Sequence, residues 1–484
     1  MIEFRPDNVT TVDTTNSHNV TWGRPRSGRG RWRRCWERYR HRSQRSSAQP
    51  VILSRLLVAI LAVLLWIIPV HAQTFTRGTW TQYGTGTYDG VLFRGDGTAP
   101  YDHFADGTTS VKGVTMQQAE GGTGGSDALL GAYSTGGLYI QSLDAFLALC
   151  TTGHGSGGSN EVNQFALSSG TWVNVVRPTV RLYMPVNETW SSSIAYRGIG
   201  LTVPLGLVDI GNDYAANIAP SQNGAQIVPV NRQIYGGIAD MPTVHKVFLF
   251  GGFGYWNAPN GAASIGATYD YVTHQYQFLD AERWPAGSPN NVTTATWDPD
   301  QQRVLFTTEL HLYAYYPGRT QGSRVVQIVN GDGCGSDGCS QYTMLYDTKR
   351  HRAVLFGGGT PRYYDFSSSP MRPTVVPYRI TGDGLITNVG PGMLYDPVGD
   401  QYVHFPGGRT LVYINPDTFV GASKTTTNPS SATPTTPNMG GGGGPGTGMW
   451  YRFFYWPSKD AYVALVHAKD TGVYVFAPIR SPAP

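Results

Sequence analysis

Between residues 138 and 478 the chain repeats one pattern of apolar and polar positions. The unit is an aromatic or apolar residue, then Asp or Pro, a short polar turn, an apolar run ending in Phe, a pair of glycines and a Tyr-rich run. Five copies are plain, at 238–252, 297–306, 346–358, 395–408 and 455–465. Their apolar runs end at Phe250, Phe306, Phe356, Phe405 and Leu465, spaced 56, 50, 49 and 60 residues apart. A sixth copy lies upstream at 139–150, followed by 160–165 and 169–172. Short apolar runs bounded by Asp, Pro and Gly predict strands joined by tight turns, not helices. Asp or Pro closes the turn between the first two runs, and paired glycines allow positive φ and close backbone approach near a crowded centre.

A period near 50 residues with two core strands per unit predicts four-stranded blades stacked radially, an all-β, six-bladed propeller. The 57 residues between Val176 and Ile234 leave room for a seventh blade. At these residues the chain resembles the kelch repeat, in particular exported bacterial kelch-like proteins of the galactose oxidase/kelch propeller superfamily. Phe248, Leu249, Phe250, Gly251 and Gly252 carry the likeness, as do Val354, Leu355, Phe356, Gly357 and Gly358, and upstream His154, Asn160, Glu161 and Trp172. Several copies lack the expected fourth-strand Trp, and the glycine pair is missing after Phe306 and Leu465. The resemblance speaks to fold and is nearly silent on activity.

It also implies that N- and C-terminal strands share one blade, which would remove an exposed sheet edge. The last copy ends after its third strand at 472–476, while Gly78, Thr79 and Trp80 match Gly170, Thr171 and Trp172. Residues 77–83 are therefore expected to be the missing fourth strand within a propeller spanning 73–484. Residues 84–132, rich in Gly, Asp and Thr, read as an irregular segment over the propeller. Residues 422–449, rich in Thr, Ser and Pro and then in Gly, read as a low-complexity surface loop that buries nothing.

Composition agrees with many short strands: 61 Gly, 32 Pro, 12% aromatic and only 14% charged residues. A helical bundle is excluded. The net charge of +4 misleads, because residues 1–50 hold eleven Arg, no Lys and four acids. With that Arg-rich leader and Arg55 set aside, the rest is net acidic and lacks the clustered Lys and Arg of a nucleic-acid binder. The leader reads as a disordered tail or an over-extended gene start. The apolar run 56–70, followed by Val70, His71, Ala72 and Gln73, makes 51–72 either a signal peptide cleaved before Gln73 or a retained membrane anchor. The domain is expected outside the cytoplasm, secreted or periplasmic, or else held at the membrane by 51–72 alone.

Of four cysteines, Cys334 and Cys339 share a Gly-rich loop and are expected to form a disulfide in an oxidising compartment. Antiparallel strands bring the loops between second and third strands, and those between blades, out on one face. These loops vary in length and carry His154, Tyr255, Trp256, His311, Arg409 and His467, which are the candidate ligand contacts. Aromatic rings beside His and Arg suit a sugar, which has an apolar face to stack and hydroxyls to bond.

Catalytic signatures are missing. A copper-radical oxidase needs a Tyr directly before a His, and no Tyr-His pair occurs; the Asp box of sialidases, a calcium loop, a phosphate-binding Gly loop and a nucleophile elbow are also missing. The expectation is a monomeric, non-enzymatic binder of a glycan or a protein at the cell surface, with no cofactor and no nucleic acid. The alternative is a carbohydrate-active propeller enzyme, sialic-acid epimerase-like or lyase-like.

Overall fold

The computed structural model describes residues 74–86, 137–149, 162–176, 218–220, 227–229, 232–251, 253–254, 266–279, 282, 284, 293–308, 310–331, 333–334, 342–357, 361–383, 390–427, 434, 448–466 and 472–480. They form a six-bladed propeller. From the axis outwards, blade 1 is Gly137–Ile140, Ala145–Leu149, Val162–Ala166 and Thr171–Val176; blade 2 is Ile238–Met241, Lys246–Leu249, Ala267–Asp270 and Gln275–Phe278. Blade 3 is Thr294–Asp298, Arg303–Thr307, His311–Tyr315 and Val325–Asn330; blade 4 is Tyr342–Asp347, Arg352–Gly357, Arg362–Asp365 and Thr374–Pro377. Blade 5 is Gly392–Asp396, Gln401–Gly407, Thr410–Ile414 and Val420–Thr425, with Thr381–Gly382 added parallel to its outer strand. Blade 6 is Phe453–Trp456, Ala461–Leu465, Val473–Phe476 and, from the other end of the chain, Trp80–Gln82.

The second strand of a blade has a neighbouring blade on each face, so its middle is an apolar run instead of an alternation. Ala145–Leu149, Arg303–Thr307, Arg352–Gly357 and Ala461–Leu465 are buried at every position. Six apolar clusters follow, one for each junction between consecutive blades and one joining blade 6 to blade 1. Leu138, Ile140 and Leu147 of blade 1 pack directly with Ile238, Val247 and Tyr269 of blade 2, so no blade lies between them. The long connection there instead contributes a ribbon of Ile218–Pro220 with Ile227–Pro229, and Arg232–Gln233 paired with Phe253–Gly254.

The Asp of the repeat has two jobs. Asp347 Oδ1 accepts the N–H groups of Lys349 and Arg350, and Asp396 Oδ1 those of Val398 and Gly399, which shapes each turn. The second oxygen reaches the next blade, where Asp347 Oδ2 accepts Tyr402 Oη and Asp396 Oδ2 accepts Tyr462 Oη, both at 2.6 Å. In all six blades the turn closes on a left-handed residue that is not glycine: Asp144, His245, Gln302, His351, Asp400 and Asp460, with φ between 45° and 54°. Asp and His are among the residues that tolerate this region best.

Closure follows the expected strand exchange, with Trp80, Thr81 and Gln82 opposite Phe476, Val475 and Tyr474. The chain then crosses to blade 1, where Tyr83 Oη donates to the Leu167 carbonyl and the Thr85 N–H to Gly170 O at 2.7 Å. Two of the sequence boundaries move. The outer strand of blade 5 runs to Thr425, Thr427 N–H donates to Gly78 O, and Pro434, itself buried, accepts from Gly408 N–H. Met449 is fully buried. Composition breaks at 422, but backbone pairing does not, and both edges of the 422–449 insertion belong to the packed ring. Most of 84–132 lies outside the described residues.

Candidate functional site

His154, Tyr255, Trp256, His467 and Cys339 lie outside the described residues. Cys334 is buried, disulfide-bonded, and 2.9 Å from Thr307 Oγ1. His311 opens the third strand of blade 3, where its Nδ1 accepts the Gly331 N–H at 3.2 Å and its ring meets Tyr313 edge-on. Arg409 is exposed in the turn between the second and third strands of blade 5, and its carbonyl accepts from Thr426. The two residues sit on different blades, and neither lines the central cavity.

On the face that carries His311 and Arg409, the axis is crossed by the short 3₁₀ turn Trp450–Arg452. It touches the inner strands of blades 1, 4 and 5, and Tyr451 Oη donates to the Ala295 carbonyl of blade 3. Only a segment on the axis reaches inner strands on opposite sides of the ring. Trp450 packs 5.7 Å from the Tyr235 ring and lies directly over Gly390, where a Cβ would come within 2.1 Å of the indole. Gly390 also has φ +56°, so both space and backbone require glycine there.

Below this plug is a cavity of about 230 Å³ to which every inner strand contributes. Tyr139 comes from blade 1, Asp240 from blade 2, Trp297 from blade 3, Leu345 from blade 4, Tyr395 from blade 5 and Tyr455 from blade 6, with Tyr451 from the plug. Three of the tyrosines are held by the left-handed Asp five residues on: Tyr139 Oη to Asp144, Tyr395 Oη to Asp400 and Tyr455 Oη to Asp460, each at 3.1 Å. Tyr139 also stacks on Phe454 of blade 6, with ring centres 4.8 Å apart.

Asp240 is the one carboxylate among the described lining residues. Burial pushes its carboxyl up to about 7, against the Tyr271 hydroxyl and Met241 N–H, which bond it and favour the charged form. Ser142 Oγ donates in turn to Tyr271 Oη at 3.3 Å. Asp240 Oδ1 is buried and has no partner among the described residues. In sequence, the Asp-Met-Pro of this copy matches the Asp-Pro of the others. The pairing shows a different register: Val247 faces Asp240 as Val304 faces Trp297, so Met241 holds the turn position and Asp240 the aromatic one. The available signal was an acid at a position that is Tyr or Trp in the other five copies, Tyr139, Trp297, Tyr346, Tyr395 and Tyr455.

Two further buried basic groups, Arg452 and His404, have nitrogens without a partner among the described residues. Arg452, in the plug, donates through Nη2 to the Gly448 carbonyl while Nε and Nη1 bond nothing, and burial lowers its guanidinium to about 9. His404, in blade 5, has neither ring nitrogen bonded, and burial lowers it to about 3.

The opposite face, at the turns between first and second strands, carries a belt of ion pairs. Arg350 bonds Asp400 and Asp417, Lys349 bonds Asp400, His351 bonds Asp300, and Arg480 bonds both Asp396 and Asp460. Lys349 and Arg350 therefore tie blade 4 to blade 5.

No family model matches the chain, and no curated protein matches it. Among solved structures it is similar to a fungal alcohol oxidase of the AA5 family in complex with copper, at TM-score 0.37 and 11% identity over 72% of this chain and 75% of that one. An auxiliary nutrient binding protein from Bacteroides thetaiotaomicron gives 0.37 and 8%, over 71% and 69%. A chain of the Mitotic Checkpoint Complex gives 0.38 and 10%, over 73% and 94%. Likenesses this distant say nothing about activity.

Proposed function

We propose that this is an exported kelch-type propeller that acts as a non-enzymatic binding module, taking a single small glycan unit into its central cavity. The repeat motifs support the kelch assignment, and the apolar run at 56–70 supports export, by a cleaved signal or an anchor. The observation that carries the binding reading is the wall of Tyr139, Trp297, Tyr395 and Tyr455 around one acidic side chain, three of those rings being oriented by Tyr-to-Asp bonds. Aromatic walls with few polar anchors are the usual make-up of a small-molecule site. At about 230 Å³ the cavity holds the volume of roughly seven or eight waters and falls below the drug-sized class, so one sugar ring fits better than a longer chain.

A glycan array probed with the full-length chain, followed by titration of any retained sugar, tests this reading. Tyr455→Ala is expected to weaken binding by about 1–3 kcal/mol with the fold intact. An array with no retained glycan, or unchanged affinity in both Tyr395→Ala and Tyr455→Ala, rejects it.

The raised Asp240 carboxyl favours a second reading, a carbohydrate-active enzyme in which Asp240 moves a proton. Hydrolysis by the usual carboxylate pair needs a second acid across the bond. Among the described lining residues there is one, which leaves epimerase-like or lyase-like proton transfer. NMR of the bound sugar over time separates the readings, since a binder returns it unchanged.

A further inference from the structure

Asp240 presents an electrostatic problem that the protein does not solve by itself. Its carboxylate is bonded from one side, by Tyr271 Oη and the Met241 N–H, while Oδ1 meets no donor among the described residues. Among the described residues lining the cavity there is no Lys, Arg or His to balance it. Lys246, in the adjacent strand of the same blade, directs its ammonium to Gln277 Oε1 at 3.3 Å. A carboxylate with one oxygen buried and unpaired is costly, and the cost persists until a positive charge or a proton arrives.

The rest of the wall is suited to a positive charge. Trp297, Tyr139, Tyr395, Tyr451 and Tyr455 are aromatic, and the ring quadrupole attracts cations and disfavours anions. A neutral polyol would leave the charge of an ionised Asp240 unbalanced.

We infer that the cavity selects a ligand bearing a small organic cation, a primary or quaternary ammonium group, with Asp240 as its counter-ion. This rests on the reading that the cavity is the binding site, and it narrows the glycan class to an amino sugar with a free amine. A hexosamine presents one ring, several hydroxyls and one ammonium, which matches the cavity in size and in its single acid. An N-acetylated sugar of similar shape lacks the charge and is discriminated against.

The test is titration calorimetry of the full-length chain with glucosamine, N-acetylglucosamine, glucose and tetramethylammonium, repeated on Asp240→Asn. Glucosamine is expected to bind at least about tenfold more tightly than glucose or N-acetylglucosamine, the scale of one charge-assisted bond. Tetramethylammonium should compete with it. Asp240→Asn, which removes the ionisable group and keeps the shape, should melt no lower than the parent and lose the preference. Equal binding of the neutral and charged sugars, or an unchanged preference in Asp240→Asn, overturns the inference and leaves the cavity reading standing. If none of the four binds, the cavity reading falls and the inference with it.

Discussion

Trp80 lies directly opposite Phe476 on the outer edge of blade 6, its indole 5.3 Å from the Phe476 ring and equally far from Phe405 of blade 5. A side chain near one end of the described chain thus fills the junction between the last two blades, and it is fully buried. Its indole N–H has no acceptor, so its contribution is packing alone. Trp80→Ala is expected to cost about 3–5 kcal/mol. Trp80→Phe, which keeps most of the ring volume, should cost less than about 1.5 kcal/mol. Urea unfolding of both variants checks this, and equal losses would contradict it.

Arg480 joins blades 5 and 6 by bonding Asp396 and Asp460 together. Burial raises the Asp396 carboxyl, but the bonds from Arg480, Tyr462 and Gly399 N–H outweigh it and hold it below the usual carboxylate range. Asp460 behaves alike through Arg480 and Arg77, and at Asp400 the Arg350 bond itself is the largest cause. Carboxylates lowered in the folded state add stability that is present above the unfolded value near 3.8 and lost as pH falls through the folded values. Arg480→Gln is expected to cost about 1.5–3 kcal/mol at neutral pH. The difference from the parent should shrink on acidification below pH 4, as followed by chemical unfolding at a series of pH values.

Asp240 and His404 oppose each other with pH. The folded chain holds a proton on Asp240 up to about 7, whereas the unfolded chain releases it near 3.8, so this term lowers stability as pH rises through that window. His404 is held neutral down to about 3, whereas the unfolded imidazole takes a proton below 6.5, so this term lowers stability as pH falls through its window. Between about pH 4 and 6.5 the two slopes partly cancel. Asp240→Asn should leave a melting temperature that climbs more steeply with pH there, and His404→Leu one that climbs less or falls. Parallel profiles for the three proteins would contradict both assignments.

Arg452 is buried with two donor nitrogens unbonded. Breaking a paired buried charge destabilises, but among the described residues no acid is paired with it, so exchanging it for an apolar chain of similar length removes a desolvation cost. Arg452→Met is expected to raise stability by about 1–2 kcal/mol, measured by thermal unfolding at pH 7. A loss of similar size would mean that the guanidinium serves the plug in a way its bonds do not reveal.

The fold was legible in the sequence because a propeller is a local unit repeated. Each second strand must be apolar on both faces, each turn needs an Asp or a residue that tolerates positive φ, and each unit carries its own copy of these requirements. Runs such as Val354, Leu355 and Phe356 therefore declare themselves without reference to the rest of the chain. Even closure was readable, since the match of Gly78, Thr79 and Trp80 to Gly170, Thr171 and Trp172 identified a displaced strand. The cavity was not legible, because it belongs to no single unit. Asp240 looks like one more turn aspartate until strand pairing puts it in the aromatic register. Nothing local to Trp450, Tyr451 and Arg452 says that they cross the axis and close one face. Those placements depend on six inner strands meeting at one centre. Burial against side chains brought together by the ring, and not any residue's sequence neighbours, is what moves Asp240, His404 and Arg452 from their ordinary titration ranges.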